Sequence, residues 1–298
     1  MEHQAHHSTV LRSGTPIPRC IYGTAEKIDP ELIFEALKCG FRGLDTACQP
    51  QYYHEEAVGM ALARALTPVV EGGLGLDRAD LYIQTKFTTP AGQDMKLAPY
   101  KQEDSIATKV HKSIQKSLSS LGLPWVDTLL LHGPMPSIEE TIEVWKNMEC
   151  LVPEYVHNIG LSNMTIQQVK AVCDKANVWP VTIQNRFRRH NNYDHDLRNF
   201  CSKNCITYQA FSILRSNRRL LSNSLVGWLA EITGVTAEEA LLNLVLSTGT
   251  GTTDTLCILI GTGNKERMKR DIATFDRLGK VPGFIMEGFN EELHGFSD

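Results

Sequence analysis

LYIQTKF (Leu81–Phe87) and TLLLHGP (Thr128–Pro134) each carry a short, β-rich run straight into an ionisable residue, Lys86 in the first and His132 in the second, where Gly133 and Pro134 then stop it. A Gly-rich, loop-like connection, VVEGGLGLDRAD (Val69–Asp80), leads into the first run, and a helix-patterned stretch, Glu103–Leu121, separates the two. The same unit recurs along the chain. Strand candidates are Arg19–Tyr22, Phe41–Asp45, Leu81–Lys86, Thr128–His132, Asn158–Ser162, Val181–Asn185, Ile206–Ala210 and Leu256–Ile260. Helix candidates are Pro30–Lys38, Glu55–Ala65, Glu103–Leu121, Ser137–Glu149, Ile166–Ala176, Tyr193–Ser202, Thr236–Leu246 and Lys265–Phe275. Strict alternation of strand and helix argues for a parallel sheet, and closing eight such strands gives an α/β fold, a (β/α)8 TIM barrel. An open doubly wound sheet is the alternative. It would usually declare a Gly-rich phosphate turn after its first strand, and Cys20–Ala25 offers only Gly23.

The length of 298 residues suits a single barrel domain spanning 1–298. Net charge is −4, and no basic block suggests a nucleic-acid or membrane surface, which leaves a small molecule as the expected partner. The eight cysteines contain no C-x-x-C pair, and MEHQAHHSTVLRSG (Met1–Gly14) has no apolar signal core. Reduced thiols and a cytoplasmic enzyme are therefore expected. His3, His6 and His7 read as a solvated N-terminus rather than a metal tract, and no metal site is expected. No apolar run approaches the roughly 20 residues that span a bilayer. A second Gly-rich connection, LSTGTGTTDTL (Leu246–Leu256), precedes the last strand.

In such a barrel the chemistry lies at the C-terminal ends of the strands. Asp45 closes the second strand candidate, Lys86 the third and His132 the fourth, and Tyr52 and Tyr53 lie in the loop after Asp45. Singly, these residues read as a turn acid, a solvated lysine, a core histidine and a rim tyrosine. Together on consecutive strand ends they make a site. A phenol with a reference pKa of about 10 is a reluctant acid, and a neighbouring ammonium favours its ionised form. Lys86 can supply that charge, Asp45 can keep the buried ammonium protonated, and His132 can orient a carbonyl oxygen. Such a site protonates an oxyanion as it forms, as hydride reduction of an aldehyde or ketone requires.

The motifs IPRCIYGTA (Ile17–Ala25), GFRGLDTA (Gly40–Ala47), QTKF (Gln84–Phe87), LLLHGP (Leu129–Pro134), IGLSNM (Ile159–Met164) and PVTIQNRF (Pro180–Phe187) resemble those of the aldo-keto reductase family, over about Ile17 to Asp276. The resemblance implies a barrel that binds NADPH in extended form and uses an Asp, Tyr, Lys, His tetrad: Asp45, Tyr53, Lys86 and His132. The usual spacing from aspartate to tyrosine is broken here by CQPQ (Cys48–Gln51), a form similar to a fungal-type branch. Tyr53 is the favoured proton donor, with Tyr52 lining the pocket. Ser162, Asn163 and Gln184 resemble the residues that hold the nicotinamide carboxamide, although Asn163 also reads as a helix cap. In YQAFSIL (Tyr208–Leu214), Phe211 matches the ring that stacks on the nicotinamide, or else serves as core, while Ser212 and Leu214 match the following cofactor segment.

Departures gather at the adenosine end. ILIGTGNKERMKRD (Ile258–Asp271) puts Gly261 where the family's lysine for the 2′-phosphate would stand, with Thr262 and Arg267 still matched. NADPH is the first choice and NADH the alternative. A short-chain dehydrogenase reading, Tyr82-x-x-x-Lys86, needs a helix, whereas four residues on a strand span about 13 Å. A nucleotide-sensing regulatory barrel with little turnover is the reading from another class. Substrate choice falls to the loops Thr88–Gln102 and Phe187–Asp194. Arg186, Arg188 and Arg189 read as a solvated face, with recognition of an acidic substrate as the alternative. Phe284, Met286 and Phe289 either cover the mouth or pack on the barrel.

Overall fold

The structure, a computed structural model, describes residues 8–248, 256–278 and 281–294; the histidines at positions 3, 6 and 7 and most of the Gly-rich connection before the last strand lie outside the described residues. An antiparallel hairpin comes first, β1 (Ser8–Val10) and β2 (Pro16–Pro18), with Thr9 opposite Ile17. Eight further strands follow: β3 (Cys20–Gly23), β4 (Gly43–Asp45), β5 (Tyr82–Phe87), β6 (Val126–Leu131), β7 (Val156–Ser162), β8 (Thr182–Arg186), β9 (Thr207–Phe211) and β10 (Leu256–Ile260). They close into a barrel in the order β10, β3, β4, β5, β6, β7, β8, β9. The fold is thus the (β/α)8 barrel that the alternation implied. Strand ends differ from the sequence reading by about one or two residues, the usual scatter at element boundaries. Two such differences touch the site: β5 runs one residue past Lys86, to Phe87, and β6 stops short of His132. β6 ends at Leu131 and His132 is the first residue beyond it, although the His132 N–H still donates to Phe87 O at 2.9 Å and continues the ladder.

The helices are α1 (Pro30–Lys38), α2 (Glu55–Leu66), α3 (Ile106–Leu121), α4 (Ile138–Glu149), α5 (Ile166–Cys173), α6 (His195–Lys203), α7 (Ile213–Ser216), α8 (Arg218–Leu221), α9 (Ser224–Thr233), α10 (Ala237–Ser247), α11 (Lys265–Leu278) and α12 (Gly283–His294). Caps explain most of their ends. α3 begins at Ile106 rather than Glu103 because the Ser105 hydroxyl accepts the Thr108 N–H at 3.2 Å, and it stops at Gly122, whose φ of +66° suits a residue without Cβ. α4, α5 and α10 each open with a reciprocal capping box, Ser137 with Glu140, Thr165 with Gln168 and Thr236 with Glu239. α7, α8, α9 and α12 are absent from the sequence reading. Four-residue helices carry too little periodicity to register, and α9 and α12 lie outside the strand–helix rhythm.

By internal contact the chain divides into two compact units, 21–183 and 1–20 with 184–298. In the first, β4, β5, β6 and β7 pair in parallel, and Ile83, Leu129 and Ile159 are wholly buried. Gly59 lets α2 meet α3 closely, since a Cβ there would stand 2.3 Å from Ser120 O. In the second unit, α10 buries every residue from Glu239 to Leu246, and α12 presents Ile285, Phe289 and Leu293 inward at helical spacing. Phe289 is therefore core, while Phe284 stays 64% exposed with its ring centroid 5.6 Å from that of Trp228.

Candidate active site

Asp45, Tyr53, Lys86 and His132 all belong to the 21–183 unit. Register places Asp45 beside Gln84 and Lys86 beside Leu130, so the side chains of β4 and β5 that share the barrel face meet at the C-terminal end. Lys86 Nζ donates to Asp45 Oδ2 at 2.6 Å and to Thr46 O at 2.8 Å, and the pair is 1% and 4% exposed. Gln84 Nε2 donates to the other carboxylate oxygen at 2.6 Å. Burial by itself lowers the Lys86 pKa, but Asp45 and Tyr53, with Glu55 behind them, together outweigh it and hold the amine above its ordinary value. The amine is a fixed cation.

The CQPQ insertion folds into a turn that presents the two tyrosines differently. The N–H groups of Tyr52 and Tyr53 both donate to Gln49 O at 3.0 Å, and Cys48 N–H donates to Lys86 O at 3.1 Å, which ties the turn to β5. Tyr52 is left 45% exposed. Tyr53 is turned inward, with Lys86 Nζ 5.0 Å from its ring centre and the His132 ring centroid at 6.0 Å, edge to face. The expectation that the ammonium makes this phenol acidic needs correction. Burial raises the Tyr53 pKa by more than Lys86 lowers it, and Asp45 adds to the rise, so the net shift is upward and the phenol holds its proton.

His132 is pushed down to about 3, first by burial and then by the Lys86 charge, so its imidazole is neutral throughout the ordinary pH range. Its Nδ1 lies 2.8 Å from Thr88 Oγ1. Thr88 is itself 3% exposed, and its carbonyl oxygen accepts from the Tyr100 hydroxyl. A hydroxyl that donates to Nδ1 leaves the imidazole proton on Nε2, the nitrogen free to donate elsewhere. Sequence reasoning missed Thr88 and Gln84. The signal was the period of two from Lys86, which puts both on its strand face.

Glu55 was read only as the opening residue of α2. Its side chain turns into the layer between β5 and α3, where Oε1 accepts from Thr85 Oγ1 at 2.6 Å and Oε2 from Ser117 Oγ at 2.8 Å. Burial lifts its pKa from 4.5 to about 7 against the pull of those two hydroxyls. At low pH the folded and unfolded chains both bind this proton. As pH rises from 4.5 to about 7 the unfolded chain releases it first, so stability falls across that window, by about 3 kcal/mol in all. Urea unfolding at about pH 5 and about pH 8 should show this loss in the parent and a flatter profile in Glu55→Gln, and matching slopes would contradict it.

The remaining expected residues fall into separate sets. Ser162 closes β7 fully buried, and Asn163 takes a φ of +55° with Nδ2 donating to His132 O at 2.8 Å. The cap of α5 is Thr165, so the capping alternative for Asn163 is set aside. In the other unit, Gln184 Nε2 donates to Gln209 Oε1 at 2.9 Å, and half-buried Phe211 ends β9 ahead of Ser212, at φ +57°, and half-buried Leu214. Thr262 and Arg267 are half-buried around the start of α11, where the Thr262 hydroxyl accepts from Asn264 N–H and Asn264 Oδ1 from Arg267 N–H. Neutral amides and hydroxyls suit a carboxamide, and the Arg186 cation beside Ser212 suits a phosphate, so each set by itself has donors of the kind that a part of a nicotinamide dinucleotide takes. Among the described residues, no cluster of His, Cys, Asp or Glu could hold a metal ion, and no helix is long and apolar enough to cross a membrane.

A family model described as the Aldo/keto reductase family matches residues 25–222. The D/L-glyceraldehyde reductase of Hypocrea jecorina is 30% identical over 71% of this chain and 65% of that protein. Methylglyoxal reductase DkgA of Salmonella typhimurium is 30% identical over 58% of this chain and 55% of its own. The matched stretch therefore spans under two thirds of these two relatives. A crystal structure of an aldo/keto reductase from Brucella melitensis superposes with a TM-score of 0.75 at 26% identity, covering 96% of this chain and 98% of that one.

Proposed function

Because the chain belongs to the aldo/keto reductase family, whose chemistry is carbonyl reduction with a nicotinamide cofactor, we propose that it reduces a small aldehyde or ketone to the alcohol, with NADPH as first choice and NADH as the alternative. The observation that carries this reading is the buried Lys86 ammonium, held between the Asp45 carboxylate and the Tyr53 phenol. When bound, the reduced nicotinamide would supply hydride to the carbonyl carbon, held by Ser162, Asn163 and Gln184 at its amide and by the Phe211 to Leu214 segment, Thr262 and Arg267 beyond. Tyr53 gives its proton to the oxygen as negative charge builds there. The phenolate left behind is stabilised by Lys86, which Asp45 keeps charged, and is reprotonated from solvent. His132, neutral, donates from Nε2 to the carbonyl oxygen and sets its approach.

That role for His132 gives Thr88 a positioning task. Thr88→Val should lower kcat by about tenfold with KM little changed, and Thr88→Ser should restore most of it. Equal activity in Thr88→Val would remove Thr88 from the account. The relatives' names make glyceraldehyde and methylglyoxal the first substrates to try. Steady oxidation of NADPH on addition of either supports the enzyme, and tight binding without consumption favours a nucleotide-sensing barrel instead. We place the protein in the cytoplasm, a reading supported by eight cysteines with no disulfide among the described residues.

A further inference from the structure

Basic residues are spread over most of this chain but not between Arg186 and Arg219. That stretch holds seven arginines and one lysine against two aspartates, in a protein of net charge −4. It contains the loops that follow β8 and β9, which lie in one compact unit. The loops are pinned to each other. Phe187 N–H donates to Phe211 O at 3.1 Å, and buried Asn217 donates from Nδ2 to both Phe187 O and Ile213 O at 2.8 Å.

On this braced surface Arg186 does not simply extend into water. Its Nη1 donates to Ser212 Oγ at 3.1 Å, and its guanidinium carbon lies 5.1 Å from the centre of the Phe211 ring. No ion pair joins it to a carboxylate among the described residues. The charges that do face it are Arg188 and Arg215, which add to burial in disfavouring its charged form. The two acids of the stretch are engaged elsewhere: Asp194 accepts from Asn185 and Tyr208, and Asp196 faces His195. A guanidinium held by one hydroxyl beside a ring, and faced by two like charges, keeps planar donors that an anion of matching geometry would satisfy.

We infer that Arg186, with Ser212 and flanked by Arg188 and Arg215, forms a binding site for a phosphate-class anion. Two sources share that chemistry: the diphosphate of the dinucleotide and a phosphate carried by the carbonyl substrate. The inference deepens the proposed reduction, and for the first source it rests on that reading. With Gly261 in place of a lysine, the arginines supply positive charge that position 261 does not.

The test is calorimetric titration with inorganic pyrophosphate, NADPH, glyceraldehyde and glyceraldehyde 3-phosphate of the parent, Arg186→Ala, Arg186→Lys and Lys146→Ala, an exposed lysine in the other unit. Arg186→Ala is expected to weaken pyrophosphate by about tenfold or more, Arg186→Lys by less, and Lys146→Ala not at all, with all variants melting as the parent does. If NADPH weakens in parallel, the dinucleotide is the source. If NADPH is unmoved and glyceraldehyde 3-phosphate loses its advantage over glyceraldehyde, the substrate is. Pyrophosphate affinity equal in Arg186→Ala and parent, or lowered as much by Lys146→Ala, overturns the site. A parent that binds pyrophosphate but no nicotinamide dinucleotide keeps the site and sinks the proposed reduction.

Discussion

Tyr53→Phe is expected to lower kcat for aldehyde reduction by about 10²- to 10⁴-fold while NADPH still binds within about twofold of the parent. The substitution removes one hydroxyl and keeps the ring that meets His132 edge to face, so packing is preserved and the loss reports the proton. Tyr52→Phe, on the exposed neighbour, should stay within about threefold. The reverse pattern would move the proton donor to Tyr52. Because the net shift on Tyr53 is upward, its importance lies in being protonated and beside a fixed cation, not in being acidic before the reaction.

Lys86→Met should destabilise the fold by about 3–5 kcal/mol at neutral pH, as well as abolishing turnover, because it strands a buried carboxylate. Asp45 would lose its cation while keeping the Gln84 amide, and its 4% exposure gives little access to water. Adding Asp45→Asn to Lys86→Met should recover most of the stability and none of the activity, a separation that a purely structural ion pair would not produce. With the pair intact, the folded pKa of Lys86 is raised. The stability it contributes is present in full below the ordinary value of 10.5 and is lost as pH rises through the higher folded value, so the melting temperature of the parent should drop toward that of the double variant only in strong alkali. Stability of Lys86→Met within about 1 kcal/mol of the parent would show that the pair is not buried as described.

How far the site could be read from residues alone varied with distance along the chain. Asp45, Lys86 and His132 were legible because each stands at, or within one residue of, the C-terminal end of a strand, and a barrel gathers those ends. Choosing between Tyr52 and Tyr53 needed a turn whose two N–H groups share Gln49 O, an arrangement that no period announces. Glu55 looked like an acid at a helix start, a common place for a solvated carboxylate. Its burial depends on Thr85 and Ser117, which are 30 and 62 residues away. Arg186 looked like part of a solvated face until Ser212 and Phe211 were placed beside it.

What the sequence determined by itself is the alternation of strands and helices, and through it the barrel and the end at which ionisable groups collect, because hydrophobic period and capping act over a few residues. The tertiary structure alone decided which phenol faces the amine, which way the proton equilibria of Tyr53, His132 and Glu55 move, and which arginine is braced. Those properties are set by desolvation and by charges brought close from distant segments, and neither exists until the chain has folded.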